Sequence, residues 1–157
     1  MTNKQIIEAF YTAFSKADAP AMVSFYDDDI IFEDPAFGVL KGQDARNMWL
    51  MLVNPGLELV FSGVSADNDK GRAHWEATYT FGKTGRKVIN KIDASFEFRN
   101  GKIIRHTDRF SFWKWSRQAL GLPGYLLGWT PFLQHKVRAQ ALERLTAFKN
   151  KKALPEE

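Results

Sequence analysis

Gly101-Lys-Ile-Ile-Arg-His106-Thr-Asp108-Arg-Phe110-Ser-Phe112-Trp113 opens at an Asn100-Gly101 pair, the strongest short-range signal for a hairpin turn. The stretch then alternates. As a strand it puts Ile104, His106, Asp108, Phe110 and Phe112 on one face, and Ile103, Arg105, Thr107, Arg109 and Ser111 on the other. The face with most of the aromatics is the one to bury. An imidazole and a carboxylate therefore stand two residues apart on an apolar wall, where polar groups must be paired or used. Same-face neighbours on a strand are ~7 Å apart, so a substrate or one water is expected to join His106 to Asp108. These two are the first acid–base candidates. The competing structural reading pairs Asp108 with Arg72 or Arg109 and makes His106 a satisfied core residue.

The rest of the chain frames this wall. Strands are expected at 57–65, 72–81 and 87–98, joined by polar turns at Asp67–Gly71 and Gly82–Gly85. The second turns Trp75 and Tyr79 one way and His74 the other, toward the surface or a dimer interface. The third has an apolar face of Val88, Ile92, Ala94, Phe96 and Phe98, with Asn90 among them, placed to bond a ligand or the neighbouring His106 or Asp108. Hairpins in series make a curved antiparallel sheet with one packed face.

Three helices precede the sheet. Thr2-x-x-Gln5 forms a capping box for a helix over 4–16, with Ile7, Phe10, Tyr11 and Phe14 on its apolar face. Asp18 caps a second helix with Pro20 in its first turn, carrying Met22, Val23, Phe25 and Tyr26. Ile30–Glu33 reads as a short strand stopped by Asp34-Pro35, and Gly38 and Gly42 bracket a loop. Ala45, Met48, Trp49 and Leu52 mark a third helix, closed by Asn54-Pro55-Gly56. After the sheet, Gly121–Leu133 is apolar and broken by Gly and Pro. It reads as short helices that cover the cavity, pack on the sheet or meet a dimer neighbour. Leu133, Val137, Ala141 and Leu145 then recur every four residues in a basic amphipathic helix, and residues 151–157 are expected to fray.

The chain has 157 residues, 45% hydrophobic and 14% aromatic, which suits one α+β domain with a lined cavity: 1–120 as its body and 121–157 as a helical extension. It has no cysteine, so disulfides, thiolate metal sites and cysteine nucleophiles are excluded. No apolar run reaches membrane-spanning length and no charged-then-apolar leader opens the chain, so a cytoplasmic protein is expected. A net charge of +4 falls short of a nucleic-acid-binding signature. The basic helix reads first as a solvated face, with a membrane-surface role the minority reading. A metal needs three or four convergent ligands, which the spacing of Asp34, His106 and Asp108 does not demand.

Three helices, a short strand ending in Asp-Pro and a four-stranded antiparallel meander resemble, over residues 4–120, the nuclear transport factor two-like superfamily. That superfamily includes ketosteroid isomerases and SnoaL-like polyketide cyclases. Asp28-Asp-Ile-Ile-Phe-Glu33-Asp34-Pro35-Ala-Phe-Gly38 is similar to the isomerase stretch that carries the catalytic base; Phe96-Glu-Phe-Arg-Asn-Gly101-Lys-Ile103 and Gln118-Ala-Leu-Gly121 are similar to the SnoaL-like ending. The resemblance implies a cone-shaped curved sheet wrapped on three helices, a pocket at the open end, a homodimer through the sheet, and cofactor-free proton transfer on an apolar small molecule. It puts Asp34 at the general base, while the isomerase tyrosine position falls on Phe10 rather than Tyr11, and Asp93, near its second oxyanion donor, reads as outward-facing. The candidates are then Asp34, His106 and Asp108 for catalysis, and Tyr26, Trp49, Trp75, Tyr79, Asn90, Phe110 and Phe112 for binding substrate. The alternative is a non-catalytic ligand-binding or protein-interaction module.

Overall fold

A computed structural model describes residues 1–153. In chain order the elements are α1 (Asn3–Ser15), α2 (Ala19–Ser24), β1 (Tyr26–Asp34), β2 (Gly38–Lys41), α3 (Gln43–Leu52), β3 (Glu58–Ala66), β4 (Lys70–Phe81), β5 (Arg86–Arg99), β6 (Lys102–Arg109), α4 (Phe112–Leu120), α5 (Leu122–Leu127) and α6 (Pro131–Ala153). The strands form one curved sheet in the order β2-β1-β6-β5-β4-β3. The fold is the expected α+β cone. Thr2 and Gln5 close the capping box of α1, whose Ile6, Ile7, Phe10, Tyr11 and Phe14 are buried.

Local chemistry moved several expected boundaries. The helix α2, capped by Asp18, ends at Ser24, and Tyr26 opens β1 instead of closing that helix. Sheet pairing competes for this residue: the carbonyl of Phe25 accepts from Ile103 N at 2.8 Å. The segment bracketed by Gly38 and Gly42 is strand β2, paired antiparallel with β1 (Phe32 opposite Leu40). β1 also runs parallel to β6, with Phe32 opposite His106. The sheet is therefore not purely antiparallel, and β6 lies in its interior.

The alternation of β6 is interrupted once. Glu97 pairs with Arg105, but Phe98 pairs with Ile103, so Ile104 is an extra residue in the ladder. Ile103, not the expected Ile104, is fully buried. The strand also ends before Phe112. The Ser111 hydroxyl accepts from Lys114 N at 3.2 Å and caps α4, turning Phe112 into a second core cluster with Val88, Trp115, Ala119 and Leu133.

The C-terminal helix is built into the same core. Leu145 joins the main cluster with Ala141 against it, and Leu133 joins the second cluster. Lys149 Nζ reaches Asp44 Oδ1 at 2.6 Å, and Lys152 Nζ reaches Asn47 Oδ1 at 3.2 Å, so α6 is tied to α3 by charge as well as by packing. The helix continues to Ala153; of the expected frayed end, 154–157 lies outside the described residues. Replacing Leu145, 3% exposed, with Ala should cost about 2–4 kcal/mol in urea unfolding. A cost below about 0.5 kcal/mol, the usual effect of a surface substitution, would show that α6 is not part of the cooperative core.

Candidate active site

Curvature of the sheet leaves a cavity of about 460 Å³ between its inner face, α3 and α6. Seven expected site residues line it: Asp34, Trp49, Trp75, Tyr79, Asn90, Asp108 and Phe110. They come from β1, α3, β4, β5, β6 and the segment after β6, so the sheet's pleat and register bring them together. Val137, Ala141 and Arg144 of α6 supply another part of the wall. The extension therefore bounds the cavity, a role that its four-residue apolar repeat alone did not specify.

His106 and Asp108 are directly bonded: His106 Nε2 to Asp108 Oδ1 is 2.9 Å. The side chains lean along the strand and close the gap expected to need a water or substrate. The other ring nitrogen, Nδ1, lies 2.7 Å from the Tyr26 hydroxyl, which itself accepts from Trp49 Nε1 at 2.8 Å. An indole N–H can only donate. The assignment that satisfies every group has Tyr26 O–H donating to Nδ1 and a neutral His106 donating Nε2–H to Asp108. Trp75 Nε1 adds a long 3.4 Å donation to the same carboxylate oxygen. Neither Arg72 nor Arg109 pairs with Asp108: Arg72 Nε donates to Ser65 Oγ, and Arg109 sits opposite Asp93 on the outer side.

Three expected site residues do not line the cavity. His106 is fully buried behind Asp108, with the Trp49 ring stacked on it and the Phe96 ring tilted against it at 4.4 Å. Tyr26, 2% exposed, lies behind His106, because its place in β1 aims the ring into the core. Phe112 is in the second core cluster because α4 has already begun.

Asp34 is both a turn residue and a cavity residue. Its Oδ1 accepts from Phe37 N at 2.6 Å, which fastens the Asp-Pro turn into β2. Burial pushes its carboxyl up to about 7. The negative charge of Asp108 adds to the rise, while the Phe37 and Ala36 N–H groups and Arg138 oppose it. Tyr79 is a third polar group in the cavity. Its oxygen accepts from Trp115 Nε1 at 2.8 Å, and burial, assisted by the charge of Asp34, raises its phenol pKa. Asn90, 8% exposed, makes no side-chain hydrogen bond with the described residues, so its amide is available to the cavity. Trp115 and the α6 wall were not among the expected site residues. Trp115 lies in α4, beyond the end of β6, so the strand alternation carried no signal for it; α6 had one, in its apolar repeat.

Among the described residues, no group of three or more His, Asp or Glu is arranged to hold a metal ion. Nor is any described helix long and apolar enough to cross a membrane.

The raised Asp34 pKa has a stability consequence. The folded state keeps a proton that the unfolded chain releases near the ordinary carboxyl value of 3.8. Stability from this group is full below about pH 4 and falls as pH rises toward 7. Asp34→Asn keeps an acceptor for Phe37 N and removes the titration. Its melting temperature relative to the wild type should therefore rise between pH 4 and pH 8; a pH-independent difference would contradict the elevated carboxyl.

The SnoaL-like domain family matches residues 7–106. No curated protein matches the chain. Among solved structures, a putative polyketide cyclase from Pseudomonas putida KT2440 superimposes with a TM-score of 0.63 at 20% identity, covering 76% of this chain and 98% of that one. A putative polyketide cyclase from Xanthomonas campestris pv. campestris gives 0.61 at 21% identity, with 73% and 93% covered. An LEH-like epoxide hydrolase of M. tuberculosis gives 0.61 at 18% identity, with 80% and 97% covered. At these identities the structural likeness carries the fold. The domain match covers well over half of the chain, and the helices, the sheet and the cavity between them are those expected of it: the chain belongs to the SnoaL-like family of the nuclear transport factor two-like superfamily.

Proposed function

We propose that the protein is an enzyme that binds an apolar small molecule in the cone and moves a proton on it without a cofactor, in an isomerisation, cyclisation or dehydration. The observation that carries this reading is the pair of carboxyl groups in one apolar cavity, Asp34 with its pKa pushed up to about 7 and Asp108 held by His106. A carboxyl that titrates near working pH can both take and give a proton. In this scheme one carboxylate removes a proton from carbon and the other group returns one to oxygen or to a second carbon, so no net proton is lost. The Tyr79 O–H and the Asn90 amide are the donors for an oxygen that gains charge in the transition state. His106 does not reach the cavity and acts through Asp108 as a positioning residue.

Family membership and the apolar lining support a small-molecule ligand. The likeness to polyketide cyclases and to an epoxide hydrolase makes polyketides and epoxides the first probes, with steroids suggested by the isomerase-like Asp-Pro stretch. A thermal-shift screen with these classes would identify a binder, since a native-state ligand raises the melting temperature. Turnover and exchange of substrate hydrogen with deuterated water would then be measured. Asp34→Asn should still bind and lose about 10²–10⁴-fold in kcat, and the wild-type profile should inflect near pH 7. A ligand that binds with no turnover or exchange at any pH would favour the non-catalytic ligand-binding reading. If no probe binds, the protein-interaction reading gains.

The same reading takes the protein as a homodimer through the outer face of the sheet, where Val60 and Ile89 are exposed. Val60→Glu with Ile89→Glu should then halve the solution mass; a wild type already monomeric at high concentration would exclude it.

A further inference from the structure

The helix α5 is turned inside out. Leu122, Tyr125, Leu126 and, in the turn that follows, Trp129 have the i, i+3, i+4, i+7 spacing of a core-facing helix stripe. All four are exposed, Leu122 at 68% and Trp129 at 74%, and Phe132 adjoins them at 69%. The face turned inward is Gly124 and Gly128, both buried. A Cβ at Gly124 would collide with the Ser116 carbonyl, and one at Gly128 with the Ser116 hydroxyl. Only glycine lets this segment lie against α4, and that contact fixes which side faces out. The apolar stripe is therefore presented by construction.

The polar edges of this surface are already satisfied. Trp129 Nε1 donates to Leu126 O at 2.9 Å, and Trp113 Nε1 donates to Tyr125 O at 3.0 Å. Covering the patch with hydrocarbon would strand neither indole N–H. The surroundings are basic. Between Asp108 and Glu143 the chain has no acidic residue, and Lys114 and Arg117 of α4 and Lys136 of α6 are exposed. The Arg117 guanidinium lies 4.5 Å over the Trp113 ring, which is 5.9 Å from the Tyr125 ring. Lys136 is one helical turn beyond Phe132 and is also exposed.

We propose that this surface docks on an anionic phospholipid bilayer, with Leu122, Leu126, Trp129 and Phe132 entering the interface and Lys114, Arg117 and Lys136 meeting headgroups. Apolar and aromatic side chains rimmed by cations are what an interfacial site requires. Charge decides against the other obvious occupant, since a second copy docked face to face would set the basic rim against itself. The site goes beyond the proposed chemistry and stands without it.

The test is sedimentation of the full chain with vesicles of phosphatidylcholine alone and of phosphatidylcholine mixed with phosphatidylglycerol. The wild type should bind the anionic vesicles about tenfold or more tightly than the neutral ones, and added salt should weaken it. Trp129→Asp with Phe132→Asp should abolish sedimentation. Lys114→Gln with Lys136→Gln should reduce the preference for anionic lipid. All four side chains are exposed, so unchanged melting temperatures are expected and would be checked. A folded wild type that stays in the supernatant with anionic vesicles at low salt overturns the proposal. So does binding that the aspartate variant leaves intact, or a dimer abolished by that variant in a protein that does not bind vesicles.

Discussion

The hydrogen bond from His106 Nε2–H to Asp108 Oδ1 constrains more of this structure than any other single contact. A fully buried imidazole needs partners for both nitrogens, and a buried carboxylate needs donors. One partner is on the same strand. The other is Tyr26 on β1, which in turn takes the N–H of Trp49 from α3. Satisfying one histidine thus joins β6, β1 and the third helix at the base of the cone. The parallel pairing of β1 with β6 makes the arrangement possible, since it sets Phe32 beside His106 and turns Tyr26 toward it.

Above this base the cavity inverts the usual balance of a core. Its wall is largely apolar, yet Asp34, Asp108, Tyr79 and Asn90 stand in it. Desolvation resolves the conflict by keeping a proton on Asp34 to about pH 7, while Asp108 is held by fixed N–H donors. A site of this kind costs stability as pH rises, and the compensation lies in the cores beneath and beside it.

The chain after β6 couples the cavity to the outside. The cap at Ser111 stops the strand, α4 builds a second small core, and α6 returns across α3 to form part of the cavity wall. Between them, the two buried glycines of the α5 region decide which side of a short apolar helix is hidden. The same local sequence with alanine in their place could not pack in this way.

Local signals in the sequence sufficed for most of the fold. The capping box at Thr2, the Asp18 cap, the Asn100-Gly101 turn and the two-residue alternation of β4 and β5 each depend on neighbours a few residues away, and each appears where the chain predicts it. The Asp-Pro stretch and the His-x-Asp pair were legible for the same reason. What depended on distant partners was not. The parallel partner of β6, the transfer of Tyr26 from helix to strand and the burial of His106 behind Asp108 follow from pairing between segments some eighty residues apart, and the extra residue at Ile104 follows from the register of β5 against β6. Periodicity reports that a face is apolar, not what covers it. Tertiary structure alone assigned the stripe of α6 to the core and cavity wall and left the stripe of α5 to solvent, because glycine packing against Ser116 outweighed the burial of four large side chains.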